Sequence, residues 1–450
     1  MEIRRILATK LLISSVVIAC AVLLYFLLPA VVPYPTKILI SIFVFAVFFW
    51  AFEIVELWVT SLVIVLLLTF FLTDLSSPEY KFFLLPFANP VIMLFFGGFM
   101  MAAALHKGGL DLFLIQKCMG LLGNRSYTLI LGFLFISAFF SWWISNTAAA
   151  AMMLMLVRPI LAKVEEDDPF RKALVLAVAF GANIGGIATP IGTPPNAIAI
   201  GILSEYGIHI NFLKWMMVGV PLSLLVLAVA YLFITLFFKP QQRVIDFQID
   251  KNLKMPKRGK WVLSLLLLAI VLWLTKPMHH IPEAVVALLV TALLAIFGFL
   301  KKGDLRKIHW EVLVLMWGGL ALGEALKVTQ VLNPLLDLPI VHEFDLLIVL
   351  LFGVGAIVLS SFISNTAAAN LLLPIGIALG TMQKVEISII IAFCCSFAMA
   401  FPVSTPPNAI AYSSEMISTK DMFKSGILIS CFALIFTLAG FHYILPIVFS

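Results

Sequence analysis

Charge is what this chain has least of: only 12% of its 450 residues are Asp, Glu, Lys or Arg, whereas 63% are hydrophobic. A soluble domain carries roughly 25% charged residues. Apolar runs long enough for a helix of about 20 residues to cross a bilayer recur along the chain. The composition excludes an ordinary soluble protein and predicts an all-α polytopic membrane protein with the lipid bilayer as its surroundings.

Motifs of familiar enzyme sites are missing as well. The sequence has neither an HExxH zinc motif nor a Walker phosphate loop, and its five cysteines show no metal-ligand spacing. The net charge is +6, but the basic residues lie in short loops between apolar runs, as the positive-inside rule expects. We therefore predict no enzyme, no organic cofactor and no nucleic-acid partner.

The chain does contain an internal duplication. The string ISNTAAA occurs at Ile144–Ala150 and again at Ile363–Ala369, and TPPNAIA occurs at Thr193–Ala199 and again at Thr405–Ala411. Composition bias does not produce two identical seven-residue strings in one order. The sequence therefore predicts two related halves.

Two apolar stretches, 127–157 and 344–380, are too long for one span and too short for two spans with a loop. Each holds Ser-Asn-Thr near its middle, and we interpret both as re-entrant hairpins, because irregular backbone is tolerated at membrane depth where protein surrounds it. About eleven further runs are predicted to cross the membrane. Two of them, 174–200 and 387–412, contain Thr-Pro-Pro-Asn and are predicted to be broken helices.

The basic residues predict the orientation. With a cytoplasmic N-terminus and eleven crossings, 23 lysines and arginines lie inside and 6 outside, as the positive-inside rule requires. Five crossings, an odd number, separate equivalent points of the halves, so the repeats are inverted. The total of eleven crossings places the C-terminus outside. Inverted repeats with broken helices are typical of transporters. The predicted segments are an N-terminal span (1–36), a first repeat (37–238), a cytoplasmic link (239–260) and a second repeat (261–450).

The Thr-Pro-Pro-Asn motif predicts a helix that restarts inside the membrane. Two prolines cannot lie mid-helix, but proline fits the first turn after an N-cap residue such as Thr193 or Thr405. Each copy thus leaves free carbonyls and a helix N-terminus at mid-membrane. A simple proline kink is the alternative, and the repetition of the motif argues against it.

The Ser-Asn-Thr motif predicts a polar site. Three adjacent polar side chains are expensive in lipid and usually mark function there, although a buried capped turn is the plainer alternative. Ser141 and Ser360 precede Ser145 and Ser364 by four residues, a spacing that predicts one shared helix face. Such hydroxyl, amide and carbonyl oxygens suit Na⁺. No Lys or Arg lies within ten residues of either motif, which favours an anion held by helix N-termini and co-bound sodium.

At these residues the sequence resembles the divalent anion:sodium symporter family, the group of INDY-type dicarboxylate and citrate carriers. The resemblance rests on Ser145-Asn146-Thr147, Ser364-Asn365-Thr366 and the paired TPPNA strings, and it covers essentially the whole chain. It implies opposed hairpins, separate scaffold and transport subdomains, a homodimer and elevator-like transport. It also implies two or more bound Na⁺ ions.

The resemblance further assigns roles to single residues. One sodium site would use Ser141, Ser145, Asn146 and the backbone near Gly192, and the other Ser360, Ser364, Asn365 and the backbone near Ser404. The substrate would face Asn146, Thr147, Asn365, Thr366 and Thr405, with Pro194 and Pro406 beside it.

The expected function is Na⁺-coupled uptake of a C4 dicarboxylate such as succinate, malate or fumarate across a bacterial inner membrane. A sodium-independent dicarboxylate or tricarboxylate exchanger is the first alternative. A membrane-embedded enzyme or an ion channel, from different classes, lacks support in the motifs. Glu53 and Glu56 are either a proton relay or structural charges, and Glu324 is expected to pair with Lys327, three residues away.

Overall fold

The computed structural model describes residues 2–245, 254–336, 345–379, 384–443 and 447–448. Within these ranges the secondary structure is helical, and the one β pairing is an isolated bridge between Arg125 and Val244. The prediction of an all-α fold is confirmed.

The longer helices are numbered here in chain order. They are α1 (Glu2–Leu27), α2 (Tyr34–Ala51), α3 (Leu57–Leu72), α4 (Pro90–Lys107), α5 (Leu110–Leu122), α6 (Ser126–Ser141), α7 (Asn146–Leu161), α8 (Phe170–Gly185), α9 (Pro194–Glu205), α10 (Phe212–Phe237), α11 (Lys257–Leu274), α12 (Glu283–Ile296), α13 (Trp310–Thr329), α14 (Asp345–Ser360), α15 (Asn365–Leu379), α16 (Lys384–Ser396), α17 (Pro406–Tyr412) and α18 (Thr419–Tyr443). Short helical turns are Pro78–Lys81, Leu85–Ala88, Gly186–Ala188, Lys276–His279, Lys302–Leu305, Asn333–Leu336 and Pro402–Ser404.

Several of these helices have the length and composition to cross a bilayer. Among the described residues, six segments qualify: Tyr34–Ala51, Pro90–Lys107, Phe170–Ala188, Phe212–Phe237, Trp310–Thr329 and Thr419–Gly440. Other helices are apolar but shorter, and they include the helix before and the helix after each Ser-Asn-Thr motif. The count of eleven crossings stays a prediction. Helix α5, which lies in a predicted loop, was not anticipated.

Both proline pairs lie where a helix restarts. After α8 the chain makes the turn Gly186–Ala188 and becomes extended, and α9 then begins with Thr193 as its N-cap. After α16 it makes the turn Pro402–Ser404, and α17 begins with Thr405 as its N-cap. In each case the prolines occupy the first turn, where a missing N–H costs nothing.

The two halves exchange contacts reciprocally. The restarted helix α9 packs against α15 beyond the second Ser-Asn-Thr motif, and α17 packs against α7 beyond the first. Helix α8 lies at the centre, since 89% of its segment Phe170–Ala188 is buried. The site described next therefore draws on both halves at once.

A second pair of reciprocal contacts lies away from α8. Helix α3 packs against α13, and α4 packs against α12. Small residues permit the close approach: a Cβ atom added to Gly318 would lie 2.5 Å from that of Ser61, and one added to Gly97 would lie 2.6 Å from that of Ala287. These four helices form a tightly packed group beside the site.

Candidate substrate and cation site

Each Ser-Asn-Thr motif starts a helix. Helix α6 ends at Ser141 and α7 begins at Asn146, with the Ser145 Oγ accepting a hydrogen bond from the backbone N–H of Ala148 at 3.3 Å. In the second half, Ser364 Oγ accepts from the N–H of Ala367 at 3.2 Å. Serine is a preferred N-cap, so the sequence itself starts α7 and α15 at these motifs.

The prediction that Ser141 and Ser145 share a helix face is wrong, as is its counterpart for Ser360 and Ser364. Helix α6 ends at Ser141, and α14 ends at Ser360, before the capping serine starts the next helix. A spacing of four residues would place both serines on one face of a continuous helix. Here the second serine of each pair is instead the N-cap of the next helix, so the two serines belong to different helices.

Ser141 instead contacts the amide of its own motif. Its Oγ lies 2.6 Å from Asn146 Oδ1 and 2.7 Å from the carbonyl oxygen of Ala182 in α8. Ser141 is fully buried and Asn146 is half-buried. Three uncharged oxygens therefore converge at the turn between α6 and α7.

The second half repeats this arrangement. Ser360 Oγ lies 2.7 Å from Asn365 Oδ1 and 2.8 Å from the carbonyl oxygen of Cys395 in α16. We call each set of serine hydroxyl, asparagine amide oxygen and helix carbonyl an oxygen triangle. The duplication seen in sequence thus extends to hydrogen-bond geometry.

An asparagine stabilises each helix break. In the first half, Asn196 Nδ2 donates to the carbonyls of Gly186 at 2.9 Å and Thr189 at 2.8 Å. The Thr189 carbonyl also accepts from the backbone N–H of Gly192 at 3.3 Å, and a buried carbonyl left without any partner at the helix break would be costly. The asparagine of Thr-Pro-Pro-Asn bonds to both carbonyls from the next turn.

In the second half, Asn408 Nδ2 donates to the carbonyls of Met399 at 3.2 Å and Phe401 at 3.0 Å, and lies 3.2 Å from Ser404 Oγ. Asn408 is fully buried, like Asn196. In both halves, therefore, an asparagine side chain donates hydrogen bonds to the backbone carbonyls at the helix break.

Two glycines let backbone oxygens approach the first oxygen triangle. A Cβ atom added to Gly186 would lie 2.5 Å from Asn146 Oδ1, and one added to Gly192 would come within 3.0 Å of the Gly186 carbonyl and reach that of Ser141 at 3.0 Å. A crowded set of uncharged oxygens suits a hard cation such as Na⁺. Among the described residues there is no cluster of three His, Cys, Asp or Glu to hold a transition metal.

A cavity of about 420 Å³ lies between the two motifs. Ten predicted site residues line it: Ser145, Asn146, Thr147, Gly192, Pro194, Ser364, Asn365, Thr366, Thr405 and Pro406. The other three, Ser141, Ser360 and Ser404, are buried behind the wall. The fold thus brings residues from four separate segments to one cavity.

Two polar residues of the cavity wall were not singled out from the sequence. Beyond Arg171 and Lys172 in the first turn, Asn183 is the single polar side chain of α8, and this isolation in an apolar run is the signal for it in the sequence. His309 also lines the cavity, and its side chain is 55% exposed and lies 2.8 Å from Glu311. No Lys or Arg is among the described residues that line this cavity.

The three glutamates of uncertain role lie elsewhere. Glu53 and Glu56 sit in the connection between α2 and α3, where Glu56 accepts a hydrogen bond from Trp58. Glu324 pairs with Lys327 at 3.9 Å, as expected. Glu324 lines a second cavity of about 550 Å³, which Glu205 at the end of α9 also lines.

Comparison with known proteins identifies the family. The family model described as "Citrate transporter" matches residues 47–375 and 271–450. An uncharacterized transporter of Haemophilus influenzae is 32% identical over 443 residues, which cover 93% of this chain and 94% of that protein. The chain belongs to the citrate transporter family.

Two further relatives are named as sodium-dependent dicarboxylate transporters. The transporter SdcS of Staphylococcus saprophyticus is 29% identical over 438 residues, covering 88% of this chain and 84% of that protein. Its counterpart in Staphylococcus aureus USA300 is 28% identical over 477 residues, covering 94% and 89%. The resemblance inferred from the paired motifs is thereby confirmed, and this citrate transporter family member is an integral membrane transporter, not an enzyme.

Solved structures agree with the fold. The YdaH transporter of Alcanivorax borkumensis superposes with a TM-score of 0.57 at 15% identity, covering 91% of this chain and 99% of that one. The efflux pump MtrF of Neisseria gonorrhoeae gives 0.50 at 12% identity, covering 93% and 96%. At these identities the likeness concerns architecture alone.

Proposed function

We propose that this secondary transporter couples Na⁺ to the uptake of a C4 dicarboxylate such as succinate, malate or fumarate. The observation that carries the proposal is the cavity between two oxygen triangles, bordered by polar residues and helix starts from both halves. The similarity to the sodium-dependent dicarboxylate transporters SdcS supports the same proposal.

The anion would be held by neutral groups. Helices α7, α9, α15 and α17 begin at the cavity, and helix N-termini offer free N–H groups and a positive dipole end to an anion. Small-molecule sites usually measure roughly 300–1,000 Å³, so about 420 Å³ admits a four-carbon acid. The similar motifs at two sides suit a dianion with a carboxylate at each end.

Sodium supplies the positive charge that the wall lacks. A dianion taken out of water without a counter-charge is very costly, and no lysine or arginine is among the described lining residues. Two Na⁺ ions, one per oxygen triangle, would neutralise two carboxylates. Anion binding would then depend on sodium, which is the basis of coupling.

Alternating access is supported by different contacts at the two ends of α9. At its far end, Asn89 Nδ2 donates to Glu205 Oε1 at 2.8 Å, and Lys327 donates to the Glu205 carbonyl. The cavity instead reaches the exposed His309, next to the basic segment 301–307. With the predicted topology this is an inward-facing state. The elevator step would move α9 and both hairpins past α4 and α13, in a homodimer in the bacterial inner membrane.

The test is uptake of radiolabelled succinate into proteoliposomes in Na⁺, Li⁺ or choline, with malate, fumarate, citrate and sulfate as competitors. We expect uptake that requires a Na⁺ gradient and is inhibited by C4 dicarboxylates. Robust counterflow of succinate in sodium-free vesicles would refute coupling and establish the exchanger alternative. Uptake inhibited by sulfate but not by dicarboxylates would refute the substrate class.

A further inference from the structure

Asn183 connects the two halves inside the cavity wall. It is fully buried in α8 of the first half. Its Nδ2 donates to Thr405 Oγ1 at 3.0 Å and to Asn408 Oδ1 at 2.9 Å, both in the second half. A residue of the first half therefore determines the surroundings of a threonine that borders the site.

The orientation of the Asn183 amide follows from the hydrogen-bond network. The nitrogen and oxygen of an amide are assigned from such networks, because their shapes are alike. Asn408 Nδ2 donates to the carbonyls of Met399 and Phe401, which only accept. Asn408 must therefore turn its Oδ1 towards Asn183, and Asn183 must present its NH₂ group.

This orientation constrains the hydroxyl of Thr405. Its Oγ1 accepts from Asn183 Nδ2 at 3.0 Å and, as the N-cap of α17, from the backbone N–H of Asn408 at 3.2 Å. A hydroxyl has two lone pairs and one O–H, so both acceptor positions are used. Within the described part of the chain, its O–H has no protein acceptor, and Thr405 lines the cavity.

We infer that Asn183 is a positioning residue that makes the Thr405 hydroxyl an obligate donor to a carboxylate of the substrate. A hydrogen bond from a hydroxyl to an ionised carboxylate is among the stronger kinds. A hydroxyl with both lone pairs occupied cannot instead coordinate the cation. The site thus distinguishes anion from cation at this position through a residue that contacts neither.

No equivalent of the Asn183–Thr405 bond is found at Thr193 among the described residues. The bonds from Ser141 to the Ala182 carbonyl and from Ser360 to the Cys395 carbonyl align α8 with α16, so that Asn183 corresponds to Ser396. Ser396 Oγ donates back to the Ala392 carbonyl of its own helix at 3.3 Å.

Two consequences are visible around the first Thr-Pro-Pro-Asn motif. Asn196 Oδ1 is buried without a hydrogen-bond partner among the described residues. Thr193 makes no side-chain cap bond to α9. Of the two Thr-Pro-Pro-Asn threonines, Thr405 is fixed as a donor by described neighbours and Thr193 is not. The two ends of the substrate would therefore meet different chemistry.

The inference rests on the proposed function, and the test separates the two. Succinate binding to purified full-length protein in Na⁺ is measured by titration calorimetry for the wild type, N183D, N183A, T405V and T405S. The carboxylate introduced by N183D would accept from Thr405 and turn its O–H away from the cavity. We expect N183D and T405V to weaken succinate binding about tenfold or more and N183A to weaken it less, while T405S, which keeps the hydroxyl, should lose less affinity than T405V. The Na⁺ concentration for half-maximal binding at saturating succinate should not change.

A double mutant distinguishes positioning from a general structural role. N183A combined with T405V should bind succinate no more weakly than T405V alone, because both act through one hydroxyl. S396A, at the corresponding position of the second half, is the control and should bind like the wild type.

Three results would overturn the inference: T405V that binds as tightly as the wild type, an N183A effect that persists in the T405V background, or a change in Na⁺ dependence alone. The first applies even if the position 183 variants do not fold. A wild type that shows no Na⁺-dependent binding of succinate would instead defeat the proposed function.

Discussion

The two halves of the site share the same oxygen triangle but differ in the surroundings of the threonine of Thr-Pro-Pro-Asn. Each has a buried serine hydroxyl oxygen that lies between 2.6 and 2.8 Å from both an asparagine amide oxygen and a helix carbonyl oxygen. Yet Thr405 is fixed by Asn183, whereas Thr193 makes no side-chain cap bond. The comparison suggests that cation chemistry is duplicated and anion chemistry is specialised.

The largest expected effect would remove an amide from either oxygen triangle. N146A or N365A loses a proposed cation ligand together with the bond to the buried serine. We expect Na⁺-driven succinate uptake to fall at least about 100-fold in both. N211A, at the start of α10 outside the cavity, is the control. Monodisperse elution in detergent checks folding. Undiminished uptake by either variant would show that the asparagine of that oxygen triangle is not needed for transport, so the two triangles would not be equivalent.

The next comparison concerns the backbone beside each triangle, where Gly192 corresponds to Ser404. A methyl group on Gly192 would collide with the Gly186 carbonyl, so we expect G192A to raise the Na⁺ concentration for half-maximal uptake about tenfold. S404A loses the bond from Asn408 and the bond that Ser404 donates to the Phe401 carbonyl, and it should raise the half-maximal Na⁺ concentration about threefold. Equal effects would mean that close backbone approach is not needed in the first half.

The serines behind the wall test equivalence directly. S141A and S360A each remove one hydroxyl that touches an amide oxygen and a carbonyl. We expect each to raise the half-maximal Na⁺ concentration about fivefold and to lower the Hill coefficient for Na⁺. A variant with unchanged Na⁺ dependence would show that its triangle holds no ion.

The smallest effect is expected at Thr193. Because the Thr193 side chain makes no cap bond to α9, T193V should weaken succinate binding only about twofold, far less than T405V. Calorimetric titration in Na⁺ measures both variants. Equal losses in the two would contradict the specialisation of the second half.

Much of the site follows from the sequence, because the motifs carry local rules. Serine caps a helix, and proline fits only its first turn, so Ser145, Ser364, Thr193 and Thr405 start helices as the residue types require. The repetition of both strings also marked which polar residues belong together.

What the sequence did not predict depends on contacts between distant segments. Asn183 bonds to Thr405, 222 residues away, and nothing local indicates that pairing. His309 belongs to no motif in the sequence, and it reaches the cavity wall only because the fold places the start of α13 there. The error over Ser141 has another cause, since a spacing of four fits a helix and gives no sign that the helix ends there.

The bond between Asn183 and Thr405 also has a bearing on ancestry. In a symmetric pair of identical half-chains every contact occurs twice, but this bond occurs once, because Ser396 stands where a second asparagine would be needed. The contact is therefore specific to two halves whose sequences have diverged. As a result, the halves are no longer interchangeable at this position.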